Sequence, residues 1–359
     1  MELFTKILSE IEELLEKLSK YQQALILIKV WQATHKNEDL NRAWEMAKQN
    51  QFFELQTEIV RSLAESDPEE ALNKTKTIEE PHWRDIACVE IIRKNKTTQC
   101  KNEKLIKEVL DLIESKYHKA LALLEVGKIE EVLEIMNSLP EELKIKLLIL
   151  VATISEKKKY LNLAFKIAKK QQLQGKDCFL KEIAISFAKI GDYHKARKIA
   201  HKIERKELKL EAFCEIEARS YDPFNLNLLI FHIKQNNSDA QKSRLFEHLA
   251  TALARAERIE RALEVTEKIP LSIEKEETLK TIVEIAAEKG LLIKAEQILK
   301  QIENPLIKLQ AQIKYGKFAK EIKILEAVFT EIKKIEDPKL KAKILTELLQ
   351  AISNLSRRL

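Results

Sequence analysis

Two histidines seven residues apart, His194 and His201 in the stretch "KIGDYHKARKIAHKIE" (189–204), have the type and spacing that chemistry could use. On a helix they would share one face two turns apart, as a pair of metal ligands or a proton relay requires. A metal site needs about three or four convergent ligands, and no cysteine or carboxylate stands at ligand spacing beside them. The four cysteines, Cys88, Cys100, Cys178 and Cys214, form no CxxC and fall inside apolar helical patterns. They are therefore expected to be reduced packing thiols of a reducing compartment. There is no phosphate-binding glycine loop, no HExxH and no GxSxG. The many acids alternate with lysine, as in "EKLIKEVLDLIESK" (103–116), which is the pattern of a solvated helix face. No catalytic residue, metal or cofactor is expected.

The elements that would carry these residues repeat. Only 5 Gly and 7 Pro occur in 359 residues, so little punctuates a sheet, and an all-α fold is expected. Four stretches align: "GKIEEVLEIMNSLP" from Gly127, "GDYHKARKIAHKIE" from Gly191, "ERIERALEVTEKIP" from Glu257 and "GLLIKAEQILKQIE" from Gly290. Apolar or small residues recur in them at offsets 2, 5, 8, 9 and 12, one face of a helix. A second amphipathic helix precedes each start, for example "FLKEIAISFAKI" before Gly191, and a tight turn joins the two. The starts fall near 38, 66, 98, 127, 159, 191, 224, 257, 290 and 323. That gives about ten helix-turn-helix units of 32–33 residues over 21–338, between an N-terminal capping helix (1–20) and a C-terminal one (339–359). Four Asx-Pro pairs, Asp67-Pro68, Asp222-Pro223, Asn304-Pro305 and Asp337-Pro338, mark expected helix starts.

The same alignment decides between the two readings of the histidines. Where one unit has His194, others have Glu130, Glu260 and Ile293; where it has His201, they have Asn137, Glu267 and Lys300. Any polar residue is accepted, so both are expected to be surface bystanders. His118 and His248 occupy one common register, with Glu182 and Thr281 in other copies, and are read the same way. His35, His82 and His232 have no paired context.

One more spacing is specific. A small residue on the first helix is followed twelve positions later by another on the second: Ala152/Ala164, Ala184/Ala196, Ala250/Ala262 and Val283/Ala295, with Ala120/Val132 looser. Large residues stand at fixed places too, Leu180, Phe246 and Leu279 early in the first helix and Phe187 and Leu253 later. In these features the chain resembles the tetratricopeptide repeat, with shorter units and aliphatics in place of its Trp and Tyr; the pentatricopeptide repeat is the rival. The resemblance implies a right-handed superhelical α-α solenoid whose first helices line a concave, partner-binding groove. Groove positions by that pattern are Gln32, Thr153, Lys181, Glu247, Thr251, Lys280 and Glu284. Their chemistry is mixed and names no ligand, so a protein or peptide partner held by a scaffold or adaptor is the expected function.

Charge supplies the alternative. Residues 157–209 carry 16 Lys or Arg against 5 Asp or Glu, a net of +11, while the whole chain carries +6. Lys166, Lys169, Lys170, Arg197, Lys198 and Lys202, on second helices, would form a basic patch for an acidic partner such as RNA, or simply a solvated surface. Aromatics make up only 6%, so stacking platforms are scarce, and no polar pair recurs in every unit as a base-reading code needs. Regularity fails at 93–102 and 234–243, as hinges or as longer loops, and Glu217 stands where a small seam residue belongs. The stripe Phe4, Ile7, Leu8, Ile11, Leu14, Leu15 and Leu18 makes the first helix a cap or a dimer seam. No apolar run reaches the roughly 18 residues that cross a bilayer, and the acidic start lacks an export signal. A cytoplasmic location without a membrane span is expected, delivery into a host being left open.

Overall fold

The computed structural model describes residues 2–95, 103–170, 174–236 and 238–356. Among these residues the fold is all-α, with 22 helices and no strand. In chain order they are α1 Glu2–Leu15, α2 Lys20–Thr34, α3 Asn37–Gln49, α4 Phe53–Leu63, α5 Pro68–Lys76, α6 Pro81–Asn95, α7 Glu103–Leu112, α8 Lys116–Glu125, α9 Ile129–Met136, α10 Glu141–Ser155 and α11 Lys158–Ala168. There follow α12 Lys176–Lys189, α13 Tyr193–Ala200, α14 Lys206–Ser220, α15 Pro223–Lys234, α16 Asp239–Arg255, α17 Ile259–Thr266, α18 Ser272–Glu288, α19 Leu292–Leu299, α20 Pro305–Ala319, α21 Ile322–Ile332 and α22 Pro338–Ser356.

The chain divides into two compact units, Met1–Leu147 with Phe329–Leu359, and Leu148–Val328. In the second unit α12, α14, α16, α18 and α20 pack side by side in a row, while α13, α17 and α19 each lie on the helix before and the helix after. In the first unit α4, α6 and α8 form a like row, which α2 and α22 continue, and α22 also packs on α1. The arrangement fits a helical-repeat solenoid.

Local sequence explains the hairpins. The second helices of the four aligned copies begin at Ile129, Tyr193, Ile259 and Leu292, two residues after each quoted start. At the start itself the backbone is left-handed: Gly191 has φ 79° and its counterpart Glu257 has φ 63°. The next residue's N–H reaches back across the turn, Asp192 to Phe187 O at 2.9 Å and Arg258 to Leu253 O at 2.9 Å. This is the bonding that ends a helix with a left-handed residue. The small seam residues meet the need for close crossing: Ala184, Ala196, Ala250, Ala262, Val283 and Ala295 are all fully buried. All four Asx-Pro pairs cap helices. Asp67 accepts from Glu70 N at 3.0 Å, Asp222 from Phe224 N at 3.0 Å, Asn304 from Leu306 N at 3.0 Å and Asp337 from Lys339 N at 3.0 Å.

A second repeated device joins neighbouring hairpins. Asp85 accepts from the N–H groups of Glu114 and Ser115 at 3.0 and 2.8 Å. Asp177 does the same for Glu204 and Arg205 at 3.3 and 2.7 Å, and Glu276 for Glu303 and Asn304 at 3.2 and 2.7 Å. In each case a carboxylate early in one first helix satisfies donors at the entry to the next, which helix starts otherwise leave unbonded.

Two sequence expectations change. Cys88 and Cys214 are buried, but Cys178 is exposed, because Phe179 and Leu180 take the inward face of the first turn of α12. Glu217 is no gap in the packing: it is 2% exposed and bonded bidentately to Arg197. The irregular stretch at 93–102 lies largely outside the described residues, as does Cys100. Near 234–243, apart from residue 237, α15 ends at Lys234 and α16 resumes at Asp239, with Ser238 capping through Gln241 N at 3.4 Å.

Candidate partner-binding face

The first-helix row of the second unit brings several of the expected groove residues together. Glu247 and Thr251, one turn apart on α16, open onto a cleft of ≈ 450 Å³. Glu211 of α14, Arg244, His248 and Arg255 of α16 and Thr281 of α18 complete its walls. Lys181 reaches the same place from α12, its Nζ 2.8 Å from Glu211 Oε2. Arg244 donates to the other oxygen of Glu211 at 2.8 Å. Burial alone would raise the Glu211 carboxyl, but the two cations outweigh it and hold the group below its usual range. Lys280 and Glu284 turn toward α20 instead, Lys280 donating to Gln310 at 3.0 Å and Glu284 pairing with Lys314 at 3.0 Å.

The other two expected groove residues are elsewhere. Thr153 is exposed on α10, its hydroxyl donating to Ile149 O at 2.9 Å. Gln32, in the first unit, donates to Ser62 Oγ at 2.8 Å and accepts from Gln350 at 2.9 Å.

The first unit carries a charge ladder along its own row. Arg61 lies 2.6 Å from Glu58 and 3.0 Å from Glu90, and Arg93 lies 2.6 Å from Glu90 and 2.9 Å from Glu125. Glu90, 6% exposed, thus sits between two guanidiniums. Sequence reasoning missed this ladder and the Lys181–Glu211–Arg244 cluster. The signal available was opposite charges about one repeat apart, which becomes meaningful only once the units are aligned.

The histidines divide. His194 and His201 are exposed, and His201 rests edge-on against Phe213 with centroids 5.0 Å apart. His118 and His248 are not surface bystanders: side-chain exposure is 12% and 37%, and each faces a carboxylate of the preceding first helix. His118 Nδ1 is 3.6 Å from Asp85, and His248 Nε2 is 3.4 Å from Glu215, neither aligned as a hydrogen bond. His82, read as isolated, has its ring 5.2 Å from that of His118. Burial lowers the His118 pKa, Asp85 opposes the shift and His82 adds to it. Among the described residues no group of three or more His, Cys, Asp or Glu is arranged to hold a metal ion.

On the basic side, Lys166, Lys169, Lys170, Lys198 and Lys202 are exposed. Arg197 stands apart from them, since Glu217 takes its Nε at 2.8 Å and its Nη2 at 2.6 Å. Among the described residues no helix is long and apolar enough to cross a membrane.

No protein-family model matches the chain, and no curated protein matches it in sequence. Among solved structures it is similar to the crystal structure of Ton1535 from Thermococcus onnurineus NA1, at 18% identity over 96% of this chain and 99% of that one. The TM-score is 0.29, too low for the likeness to carry a conclusion.

Proposed function

We propose that the chain is a non-catalytic, tetratricopeptide-like scaffold of the cytoplasm, about ten right-handed helix pairs of 32–33 residues, that holds a peptide segment of a protein partner on its first-helix face. The supporting observation is the cleft around Glu247 and Thr251. There Glu247 and Arg255 have no ion pair among the described residues, although the charges around them are cross-paired. One free carboxylate, one free guanidinium and two threonine hydroxyls suit the amides and mixed charges of a peptide better than a polyanion. The test is capture of partners by immobilised protein, with identification by mass spectrometry, using wild type and the charge-exchanged variant Glu247→Arg/Arg255→Glu. Selective loss of a small set of proteins supports the proposal. An unchanged set refutes it.

A nucleic-acid-binding solenoid is the second reading, supported by the exposed Lys166, Lys169, Lys198 and Lys202. Binding of mixed RNA should then fall steeply, by roughly a thousandfold or more for about six phosphate contacts, between about 50 and 200 mM salt. No gel shift at the lower salt eliminates it.

A further inference from the structure

We propose that the groove between α13, α14 and α15 seats an acidic amphipathic helix of a protein partner. It lies on the second-helix side of the row and does not rest on the first-helix reading. The groove encloses ≈ 290 Å³. Its floor is apolar, Leu210 and Phe213 from α14 and Leu228 and Leu229 from α15. Its rim is basic, with His201 after α13, Lys206 and Lys209 on α14 and His232 on α15. Lys206 and Lys209 have no ion pair among the described residues. Neither nearby acid pairs with them: Glu217 is held by Arg197, and Glu207 accepts from Gln241 at 2.7 Å.

The chain supplies a comparison. The groove at the same register between α19, α20 and α21 has ≈ 270 Å³, but Gln312 stands at the place of Phe213 and Glu296 at that of Arg197. Lys308 there repeats Lys209, while Lys300, at the place of His201, is paired with Glu296. A cavity of this size is therefore a general product of stacked hairpins, whereas an apolar floor whose lining acid is held by an arginine belongs to α13–α15. From the floor residue Leu228 (44% exposed) the apolar surface continues along α15 to Phe224 (75%) and Phe231 (55%). Their spacing of four and three follows one helix face and extends the groove along the 12 residues of α15.

These features select the occupant. An amphipathic helix places anchors at three- and four-residue spacing, which matches the stripe, and its carboxylates would meet the unpaired lysines. A flat anionic bilayer cannot fill a concave floor. A phosphate backbone leaves that floor without an apolar contact.

The probe is a fluorescein-labelled 16-residue helical peptide with Leu and Phe at three- and four-residue spacing and Glu elsewhere, read by anisotropy against the full chain. Binding is expected in the range of about 1–100 μM, and at least about tenfold weaker for a peptide with Lys in place of Glu. Lys206→Glu/Lys209→Glu and, separately, Leu228→Glu should each weaken it by about tenfold or more. Lys308→Glu, at the matching place in the polar groove, should leave it unchanged. Lys206 is exposed and Lys209 half-buried, and neither is in an ion pair among the described residues, so the lysine variants decide the matter even if Leu228→Glu fails to fold. Equal affinity for both peptides, insensitivity to the lysine variants, or no binding at 100 μM overturns the proposal. Displacement of the peptide by anionic phospholipid vesicles but not by neutral ones also overturns it, in favour of a membrane surface.

Discussion

Removing Arg197 should destabilise the second unit more than removing the carboxylate it serves. Glu217 occupies a seam position where other copies carry Ala184 or Ala250, and its side chain is 2% exposed. Arg197 supplies two short hydrogen bonds to it, and Ser220 Oγ adds one at 2.8 Å. Arg197→Ala leaves a buried charge with one neutral donor. Breaking a buried pair in this way costs about 3–5 kcal/mol, and the 27% exposure of Arg197 brings the expectation to about 2–4 kcal/mol. Glu217→Ala restores the small residue used elsewhere and leaves Arg197 able to reach water and Asp222, 3.8 Å away, so its loss should be about 1 kcal/mol. The double variant should resemble Glu217→Ala, giving a coupling of about 2–4 kcal/mol, the full cost of Arg197→Ala. Urea unfolding followed by far-ultraviolet circular dichroism reads the effect. Fluorescence of Trp31, Trp44 and Trp83, all in the first unit, reports on that unit separately. A loss below about 1 kcal/mol for Arg197→Ala, or additivity in the double variant, would refute the reasoning.

Other outcomes follow from the same structure. A β-carbon at Gly191 meets nothing within 4 Å, so Gly191→Ala should lose only the left-handed strain, about 1 kcal/mol, and Glu257→Gly should gain about 0.5 kcal/mol at the equivalent turn. Denaturation midpoints of the two variants check this. Ala262→Asp would place an unpaired charge at a fully buried crossing and should lower stability by about 3 kcal/mol or more, measured in the same way. The His118 pKa is lowered by burial and by His82, against the pull of Asp85, so the unfolded chain takes up that proton more readily than the folded one. Its contribution to stability is therefore full above the ordinary histidine range and shrinks as pH falls through it; a His118→Asn variant should show a flatter stability profile between about pH 7 and 5. Cys178 should react with a thiol reagent in the native protein. Cys88, whose thiol burial pushes up to about 12, and Cys214, whose thiol is also raised by burial, should label only on unfolding.

What could be read in advance was what is local. Helix starts, the Ala184/Ala196 and Ala250/Ala262 crossings and the Asx-Pro caps depend on residues within about a dozen positions of one another, and the repeat displays each several times. What escaped depends on which residues the fold aligns at a distance. Nothing in the one-dimensional pattern says that Arg197 will reach Glu217, or that Glu211 will lie between Lys181 and Arg244. The polar Glu217 was legible as an exception, but its partner was not. Cys178 and His118 were misjudged because type and phase alone were weighed. A first-turn cysteine loses the inward face to a neighbouring phenylalanine, and a polar register can still be covered by the next helix. For the candidate site, Glu247 and Thr251 were legible through the family resemblance, while Arg244, Arg255 and the apolar groove beside α15 were not.

The packing of α22 has a bearing on how the protein is made. Ser353 donates to the carbonyl of Ala33 at 2.8 Å, and Lys341 lies 3.2 Å from Glu10. Most contacts here link residues within one or two hairpins, which favours rapid, stepwise assembly. These links instead span more than three hundred residues, so a nascent chain must keep the flank of α2 uncovered until α22 leaves the ribosome. During synthesis the inserted second unit can settle first, and the opening segment waits longest for its native neighbour.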